Sequence, residues 1–314
     1  MELFFNVNKQ NHIFTMADGH KIVARAYFLG NDCIGHVHIL HGMGEHQRRY
    51  EPFARYLCEL GYLVTSHDHR GHGETAEQNG GLFGYFADEN GFERVVKDVH
   101  EVIHELQKLY GVHPLTLFGH SMGSFIARRY SQLYSEELDR VIYCATGAKT
   151  ALHVVGNNVA KLLSRVKGPK TPSIFLNKMS FGSFNNNIEE VITNFDWLCT
   201  DEEEVRKYIE DTHCGFIATN QFFADLTSGL ITITKPKEIK KIRADLPILL
   251  ISGSDDPVGE SGKGVYKVAA QLQQAGLKDV TVYMFDGMRH EIINERNKQQ
   301  VYDVVTRWMN NEKV

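Results

Sequence analysis

Short apolar segments of strand length alternate along most of this chain with segments whose apolar residues have helical spacing. From Phe92 to Leu109, for example, apolar residues recur at steps of three and four, as on one face of an amphipathic helix. Because strands separated by helices form a parallel sheet covered on both faces, the pattern predicts an α/β fold. The predicted strands lie at 3–7, 21–28, 35–40, 62–66, 114–118, 141–145, 246–252 and 281–285.

The stretch from 147 to 242 differs from the rest of the chain. It lacks the alternation of strands and helices and is richer in Asn, in Phe and in helical spacing. It separates the predicted strands 141–145 and 246–252. We therefore expect a mostly helical cap at 147–242, inserted into an α/β core formed by 1–146 and 243–314.

A serine stands between two glycines directly after the predicted strand 114–118. Residues 118–123 read F-G-H-S-M-G, and apolar residues with helical spacing follow as far as Leu133. The five-residue motif G-x-S-x-G is weak by itself, but a sharp turn from strand to helix holds a serine hydroxyl clear of the chain. The context therefore predicts Ser121 as a nucleophile.

An activated serine needs a base and an acid that orients the base, which can follow it in the chain order serine, acid, histidine. Strand 246–252 runs into G-S-D-D-P, and in this arrangement the acid usually comes three residues after the glycine. That spacing selects Asp256, while Asp255 is expected to cap the turn. His290 is the histidine of the loop that follows the last strand, and we predict it as the base.

Two backbone N–H groups are needed to hold the oxyanion of a tetrahedral intermediate. The residue after the nucleophile, Met122, is expected to supply one of them. Residues 41–46 read H-G-M-G-E-H and follow the predicted strand 35–40. The amide of Met43 in this glycine-rich loop is the predicted second donor.

Five motifs, spread over essentially the whole chain, resemble those of the lysophospholipase and monoacylglycerol-lipase branch of the α/β-hydrolases. The resemblance implies a mostly parallel eight-stranded sheet and a Ser–Asp–His hydrolase of single-chain acyl esters that uses neither a metal nor a cofactor. Glu74 and Thr75 stand where the family usually has a small serine, which we interpret as a tolerated loop change. The motifs are H-G-M-G-E-H with Arg49-Tyr50 following, D-H-R-G-H-G at 68–73, G-H-S-M-G at 119–123, S-D-D-P-V at 254–258 and R-H-E-I-I-N-E at 289–295.

The resemblance also suggests where the polar end of a substrate binds. In the monoacylglycerol-lipase branch, the residues that match Glu45, Arg49 and His120 lie near the pocket for the polar head. A hydrogen-bonded network that braces the serine turn is the alternative role for these three side chains.

The predicted cap holds two apolar clusters, which include Phe181 and Phe223. Side chains of this kind are suited to line an acyl-chain site, because each buried methylene gains about 0.8 kcal/mol on leaving water. The alternative is that they form the small core of the cap itself. The clusters are Phe175, Leu176, Met179, Phe181 and Phe184, and Phe216, Ile217, Phe222, Phe223 and Leu226.

Basic residues without neighbouring acids lie between Lys161 and Lys178, beside apolar positions with helical spacing. A basic amphipathic helix is suited to transient contact with an anionic membrane surface. A solvated face of the cap would have the same composition.

Composition narrows the class of protein. A chain of 314 residues with 42% hydrophobic residues can bury a large core, and a net charge of −5 argues against a nucleic-acid partner. Its five cysteines are irregularly spaced, which favours a reducing compartment. No signal peptide and no apolar run of ~20 residues is recognisable, so we expect a cytoplasmic protein.

Other functions are also compatible with parts of the sequence. Residues 65–72 resemble the histidine-rich motif of dinuclear metal hydrolases, but Arg70 and Gly71 stand where such motifs need an Asp-His pair. An iminopeptidase-like peptidase would need acidic side chains that bind the free amine of its substrate, and the run E-E-E at 202–204 is the candidate. A short-chain carboxylesterase and a non-catalytic binding protein on a hydrolase scaffold are the remaining alternatives.

Overall fold

A computed structural model of the chain describes residues 7–30 and 32–314. Within these residues the strands form one eight-stranded sheet in the order β1-β2-β4-β3-β5-β6-β7-β8. Strands β1, β2 and β4 pair antiparallel and the remaining pairs are parallel. The strands are β1 (Asn8–Thr15), β2 (Lys21–Phe28), β3 (His36–Leu40), β4 (Leu63–His67), β5 (Leu115–His120), β6 (Arg140–Cys144), β7 (Ile248–Gly253) and β8 (Val280–Phe285).

Helices cover both faces of this sheet. One apolar cluster joins the sheet to α3, α4, α8 and α10, and another joins it to α1 and α11. The predicted α/β-hydrolase fold, a mostly parallel sheet with helices on both faces, is confirmed. In the described part of the chain the helices are α1 (Glu51–Glu59), α2 (Gly73–Gln78), α3 (Gly91–Tyr110), α4 (Met122–Tyr134), α5 (Ala151–Lys167), α6 (Ile174–Phe181), α7 (Glu202–Glu210), α8 (Asn220–Ile233), α9 (Pro236–Ile239), α10 (Lys263–Gln274) and α11 (Lys298–Met309).

The first strand differs from its prediction. Residues 3–6 lie outside the described part of the chain, Val7 is not in a strand, and β1 begins at Asn8. Its sequence, N-K-Q-N-H-I-F-T, is mostly polar and mostly exposed. Such a sequence is tolerated because β1 is an edge strand that pairs only with β2, so little of it needs to be buried.

Helices α5 to α9 lie between β6 and β7, where the sequence predicts a helical cap. The cap is packed closely on the core at one point, since a Cβ on Gly229 of α8 would lie 2.3 Å from the ring of Phe92 in α3. Asn157 of α5 donates to the Ala224 carbonyl of α8 over 2.9 Å and joins the two longest cap helices. The division of the chain into a core, 1–146 and 243–314, and a cap, 147–242, stays a prediction. None of the helices in the described residues has the length and apolar character that a bilayer span requires.

Candidate active site

Ser121 occupies a strained turn between β5 and α4. Its backbone has φ 53° and ψ −119°, a left-handed conformation that is costly for a residue with a side chain. The flanking glycines make the turn possible. A Cβ on Gly119 would lie 2.3 Å from the carbonyl oxygen of Gly123, and a Cβ on Gly123 would lie 2.2 Å from that of Leu40. The turn therefore packs directly against the end of β3.

Ser121, His290 and Asp256 form a hydrogen-bonded line. The hydroxyl of Ser121 lies 2.8 Å from Nε2 of His290, and Nδ1 of His290 lies 2.8 Å from a carboxylate oxygen of Asp256. Gly253, the last residue of β7, allows the approach, because a Cβ there would lie 2.0 Å from the Met288 carbonyl oxygen. The loops after β7 and β8 can therefore cross at van der Waals contact.

The two neighbouring aspartates have different surroundings. Asp256 is fully buried and accepts hydrogen bonds from the hydroxyl of Ser252 and the backbone N–H of Val258, each over 2.9 Å. Asp255 is exposed, and its carboxylate accepts from the hydroxyl of Ser254. Of these two aspartates, Asp256 is the one that contacts the imidazole of His290.

Met43 and Met122 carry the two backbone N–H groups predicted to hold an oxyanion. Neither amide donates a hydrogen bond within the described residues, so both remain available to a ligand. The loop of Met43 is held by Glu45, whose carboxylate accepts from the N–H of Gly42 over 2.6 Å. A Cβ on Gly42 would lie 3.2 Å from Cβ of Ser121, so this glycine lets the loop pass close to the serine.

A cavity of about 490 Å³ opens above Ser121 and His290. This volume lies within the range of roughly 300–1,000 Å³ that is usual for small-molecule sites. Aromatic and aliphatic side chains from the cap line much of it, and polar groups lie beside the serine. The apolar lining is Phe181, Phe195, Trp197, Leu198, Phe216, Ile217 and Val258, and the polar lining includes Glu45, His120, Asn177, Asn185, Asn194, Tyr208 and Glu291.

Comparison with known families gives a clear match. The family model described as "Serine aminopeptidase, S33" matches residues 32–297, which include Ser121, Asp256 and His290. This chain belongs to the S33 family.

Individual relatives of this S33 protein are ester hydrolases by name. It is 26% identical to a monoacylglycerol lipase of Mycolicibacterium smegmatis over 96% of this chain and 97% of the relative. It is 25% identical to the monoglyceride lipase of Homo sapiens over 93% of this chain and 88% of the relative. The structure of a carboxyl esterase from Bacillus coagulans, in complex with glycerol, has a TM-score of 0.90 and 29% identity over 96% of this chain and 98% of its own.

These comparisons confirm the α/β-hydrolase superfamily and the resemblance to its monoacylglycerol-lipase branch. Together with the S33 family match, they support a hydrolase of the lipase and esterase type.

Glu45, Arg49 and His120 belong to one buried network beside Ser121. The Glu45 carboxylate lies 3.1 Å from Nδ1 of His120 and accepts from Arg49 over 3.0 Å and from the hydroxyl of Tyr50 over 2.8 Å. Arg49 also donates to both carboxylate oxygens of Glu291, over 2.5 and 2.6 Å. The structure thus brings the three predicted polar residues together, although Arg49 lies behind the cavity wall and does not line it.

The charges in this network stabilise one another. Burial would lower the pKa of His120, but the hydrogen bond and charge of Glu45 raise it above its ordinary value. Burial would raise the pKa of Glu45, but His120 and Arg49 hold it well below its ordinary value. Because the second nitrogen of His120 faces the carbonyl oxygen of His290 at 3.2 Å, both ring nitrogens face acceptors. That arrangement suits a doubly protonated imidazolium.

The structure separates the two phenylalanines that we predicted to contact substrate. Phe181, at the end of α6, lines the cavity and stacks on Trp197 at 5.9 Å between ring centroids. Phe223 of α8 is only 3% exposed, belongs to the main core cluster and does not line the cavity. For Phe223 the alternative of a packing role is the one that the contacts support.

The histidine-rich segment 65–72 forms part of the core. His67, His69 and His72 are buried, and His67 and His69 pack with His38 and His41 of the neighbouring strand and loop. Burial lowers the pKa of His67 to about 3 and that of His72 to about 4. Two clusters of possible metal ligands occur in the described residues, and neither includes this segment or the Ser121 line. They are His46, Asp211 and Cys214, and His100, His104 and Glu137.

Residues 74 and 75, where the sequence departs from the family motif, have structural partners. The carboxylate of Glu74 pairs with Arg25 over 2.6 Å, and the hydroxyl of Thr75 accepts from the N–H of Val23 over 2.9 Å. Both contacts bind the start of α2 to β2, which explains how the loop tolerates these residues.

Sequence reasoning did not identify the segment 196–200 as part of the site. Trp197 lies beside His290, with ring centroids 5.1 Å apart, and Arg289 donates to the carbonyls of Asp196 and Cys199 over 2.7 and 3.1 Å. The N–H of Glu291 donates to the carbonyl of Leu198 over 2.7 Å. These contacts use backbone carbonyls, which every residue carries, so the sequence held no signal for them.

Proposed function

We propose that this chain is a serine hydrolase that cleaves the ester bond of monoacylglycerols and other single-chain acyl lipids. The observation that carries the proposal is the hydrogen-bonded line from Ser121 through His290 to Asp256, which opens onto a cavity with a largely apolar wall. The names of the relatives support the same substrate class.

In the proposed reaction, the hydroxyl oxygen of Ser121 forms a bond to the ester carbonyl carbon while its proton passes to Nε2 of His290. Asp256 accepts the Nδ1–H of the resulting imidazolium and stabilises its charge. The N–H groups of Met43 and Met122 donate to the oxyanion. When the tetrahedral intermediate collapses, the alcohol leaves with the proton of His290 and the acyl group stays on Ser121.

Water completes the cycle. It attacks the carbonyl carbon of the acyl-enzyme as His290 takes one of its protons, and collapse releases the fatty acid and returns that proton to Ser121. The proposal uses no metal and no cofactor.

The two ends of the cavity suit the two ends of such a substrate. Phe181, Trp197 and Phe216 offer an apolar wall to the acyl chain, and each methylene buried there gains about 0.8 kcal/mol. Glu45 and His120 lie beside Ser121 and form a polar side of the cavity, where we place the polar head of the substrate. Arg49 acts through Glu45 and Glu291 as a positioning residue.

A peptidase activity is less well supported. The acidic run 202–204 begins α7, where Glu203 pairs with Arg206 and Glu204 with Lys207, and it does not line the cavity. The carboxylates that do line it, Glu45 and Glu291, already pair with Arg49. A free α-amine would therefore have to displace a buried ion pair.

We also propose that the cap contacts lipid surfaces. Val155, Leu162 and Val166 of α5 are 55%, 59% and 72% exposed, and Ile174 and Phe175 of α6 are 70% and 61% exposed. Exposed basic residues surround them, as is typical of helices that bind anionic interfaces. Leu162→Asp should weaken co-sedimentation with anionic vesicles while hydrolysis of soluble esters is retained. The basic residues are Lys161, Arg165, Lys167, Lys170 and Lys178.

A substrate panel tests the proposed function directly. The purified chain would be assayed with p-nitrophenyl esters, monoacylglycerols, lysophospholipids and aminoacyl amides. We expect the highest kcat/KM for a monoacyl lipid and labelling of Ser121 by a fluorophosphonate. Preference for aminoacyl amides would instead support the peptidase alternative, and labelling without turnover of any ester would contradict the proposal.

A further inference from the structure

A second cluster of chemically active side chains lies on the surface, outside the cavity and the triad. His100 and His104 are one turn apart on α3, and their ring centroids lie 4.3 Å from each other. Both present Nε2 to one carboxylate, that of Glu137 in the short turn between α4 and β6. His100 Nε2 lies 3.0 Å from Oε1 of Glu137, and His104 Nε2 lies 3.3 Å from Oε2.

The spacing of these donor atoms fits a metal ion. One ligand atom from each of the three residues lies within 4.8 Å of the others. A tetrahedral zinc ion with bonds of about 2.0–2.2 Å needs donor atoms roughly 3.3 Å apart, so small side-chain movements suffice. Two histidines at i and i+4 on a helix are also the spacing by which zinc-binding helices hold the ion.

Neighbouring aromatic residues hold two of the three ligands, Glu137 and His100, in place. Tyr130 donates from its hydroxyl to Oε2 of Glu137 over 3.0 Å. Tyr134 stacks on the imidazole of His100, with centroids 4.1 Å apart and planes 23° apart. Such partners orient metal ligands and commonly change metal affinity by about 10–100-fold when they are removed.

The ligands are also accessible. The side chains of His100, His104 and Glu137 are 28%, 46% and 36% exposed. An ion can therefore reach them from solvent, and water can fill the remaining coordination positions.

We propose that His100, His104 and Glu137 form a binding site for a divalent transition-metal ion, zinc in the first instance. Two imidazoles and one carboxylate suit Zn²⁺, Cu²⁺ or Ni²⁺, whereas Mg²⁺ and Ca²⁺ require sets of oxygen ligands. On binding, each imidazole ligates the ion through an unprotonated Nε2 and carries its single proton on Nδ1; a neutral ring moves its proton from Nε2 to Nδ1, and a protonated ring releases its Nε2 proton to solvent. No redox step is involved.

The site connects two elements that are distant in sequence. His100 and His104 belong to α3, and Glu137 follows α4, the helix that begins directly after Ser121. A bound ion would therefore join α3 to the far end of that helix. Because an ion that binds only the folded state stabilises it, zinc should raise the Tm.

Calorimetric titration of the full, EDTA-treated and dialysed chain with ZnCl₂ tests the proposal. We expect one zinc equivalent whose affinity falls by at least about tenfold in His104→Ala and in Glu137→Gln. Both side chains are part-exposed, so these variants should fold, which circular dichroism checks. The Tm of the wild type should rise with zinc and not with MgCl₂, and His104→Ala should lose most of this rise.

Two matched variants identify where the ion binds. Glu136→Gln changes the exposed neighbour of Glu137 and should bind zinc as the wild type does. Cys214→Ser removes a ligand of the other cluster and should also leave this equivalent unchanged. Unchanged zinc affinity in both His104→Ala and Glu137→Gln, or loss of the only equivalent in Cys214→Ser, would overturn the proposal.

Discussion

Nε2 of His120 donates a hydrogen bond to the carbonyl oxygen of His290 over 3.2 Å, which joins the residue before the nucleophile to the residue that carries the proposed base. The other nitrogen of the ring, Nδ1, faces Glu45 at 3.1 Å. A single imidazolium therefore connects the serine turn, the histidine loop and the loop of the proposed oxyanion donors.

The contribution of the His120–Glu45 pair to stability should depend on pH. The folded-state pKa of His120 is raised above 6.5, so its contribution is complete below pH 6.5 and is lost as the pH rises through the folded pKa. The folded-state pKa of Glu45 is lowered below 4.5, so its contribution is present above pH 4.5 and is lost as the pH falls through the folded pKa. A double-mutant cycle with His120→Gln and Glu45→Gln should give a larger coupling energy at pH 6 than at pH 9. Equal coupling at the two pH values would show that His120 does not change its charge between them.

Ser121→Ala should leave the fold intact and lower kcat by about 10⁴-fold or more, because the side chain that forms the acyl-enzyme is removed. Initial rates with a p-nitrophenyl ester and intact mass after fluorophosphonate treatment measure the effect. Ser124→Ala is the control, since Ser124 belongs to the same turn but its hydroxyl donates to the carbonyl of Ser121. Equal activity of Ser121→Ala and wild type would end the serine-hydrolase proposal.

Asp256→Asn should reduce kcat by roughly 10⁴-fold, because an amide at this position favours the wrong tautomer of His290. Asp255→Asn should remain close to wild type, since the Asp255 carboxylate is exposed and bonds only to Ser254 within the described residues. Steady-state kinetics on both variants show which of the two aspartates orients His290. If Asp255→Asn were the more damaging change, the assignment of the acid would be wrong.

Acyl-chain length should affect catalysis through Phe181. If Phe181 lines the acyl site, kcat/KM of the wild type should rise with chain length by up to about fourfold per methylene until the cavity is full. Phe181→Asn should flatten this rise on soluble esters. Phe175→Asn, which changes a residue that is 61% exposed and outside the cavity, is the control. A wild-type preference for acyl groups of about two to four carbons would instead indicate a short-chain carboxylesterase.

Phe223 should behave differently from Phe181. Because Phe223 is buried in the main core cluster, Phe223→Ala should lower the free energy of unfolding by about 3–5 kcal/mol. The dependence of kcat/KM on chain length should remain. Denaturant titration and the same ester series separate the two effects.

Buried histidines should make the protein sensitive to acid. Burial lowers the pKa of His36 and of His67 to about 3 and that of His72 to about 4. It lowers the pKa of His38, His41 and His69 well below the ordinary value. Their neutral forms contribute stability that is present above pH 6.5 and is lost as the pH falls toward the folded pKa values. In that pH window, each such histidine lowers the free energy of unfolding by about 1.4 kcal/mol per pH unit.

We therefore expect the free energy of unfolding to fall as the pH falls below 6.5, because these histidines bind protons more readily in the unfolded chain than in the folded one. Urea titrations at pH 8, 7, 6 and 5 measure how steeply the free energy of unfolding changes with pH. His69→Leu should lower the number of protons taken up on unfolding by one. The change should be tolerated, because neither ring nitrogen of His69 has a hydrogen-bond partner within the described residues. A free energy of unfolding that is unchanged between pH 7 and pH 5 would contradict this expectation.

The sequence allowed the central sheet and the Ser121–Asp256–His290 arrangement to be predicted because both depend on local signals. Apolar runs mark β3 to β8, and glycines mark the turns where backbone approaches backbone. The edge strand β1 was not predicted, because a strand that pairs with one neighbour within the described residues needs little apolar surface. The sequence left Phe223 open between an acyl-chain site and the core of the cap, because α8 is apolar around much of its circumference and periodicity does not tell which side faces a cavity.

Contacts between distant parts of the chain were the least predictable. Arg49 and Glu291 are 242 residues apart, and no local pattern pairs them. The cluster of His100, His104 and Glu137 also depends on packing, because only the fold brings the turn after α4 beside α3.

The hydrogen bonds between segment 196–200 and the loop of His290 fix one part of the cavity wall to that loop. Trp197 and Leu198 are held to the same backbone that carries the proposed base, so this side of the wall moves only with the core. Phe216 and Ile217, in another part of the wall, make no hydrogen bond to the loop of His290 within the described residues. A change in the cavity wall that leaves segment 196–200 in place therefore also leaves His290 2.8 Å from Ser121, so the proposed proton path would not have to be rebuilt in each cycle.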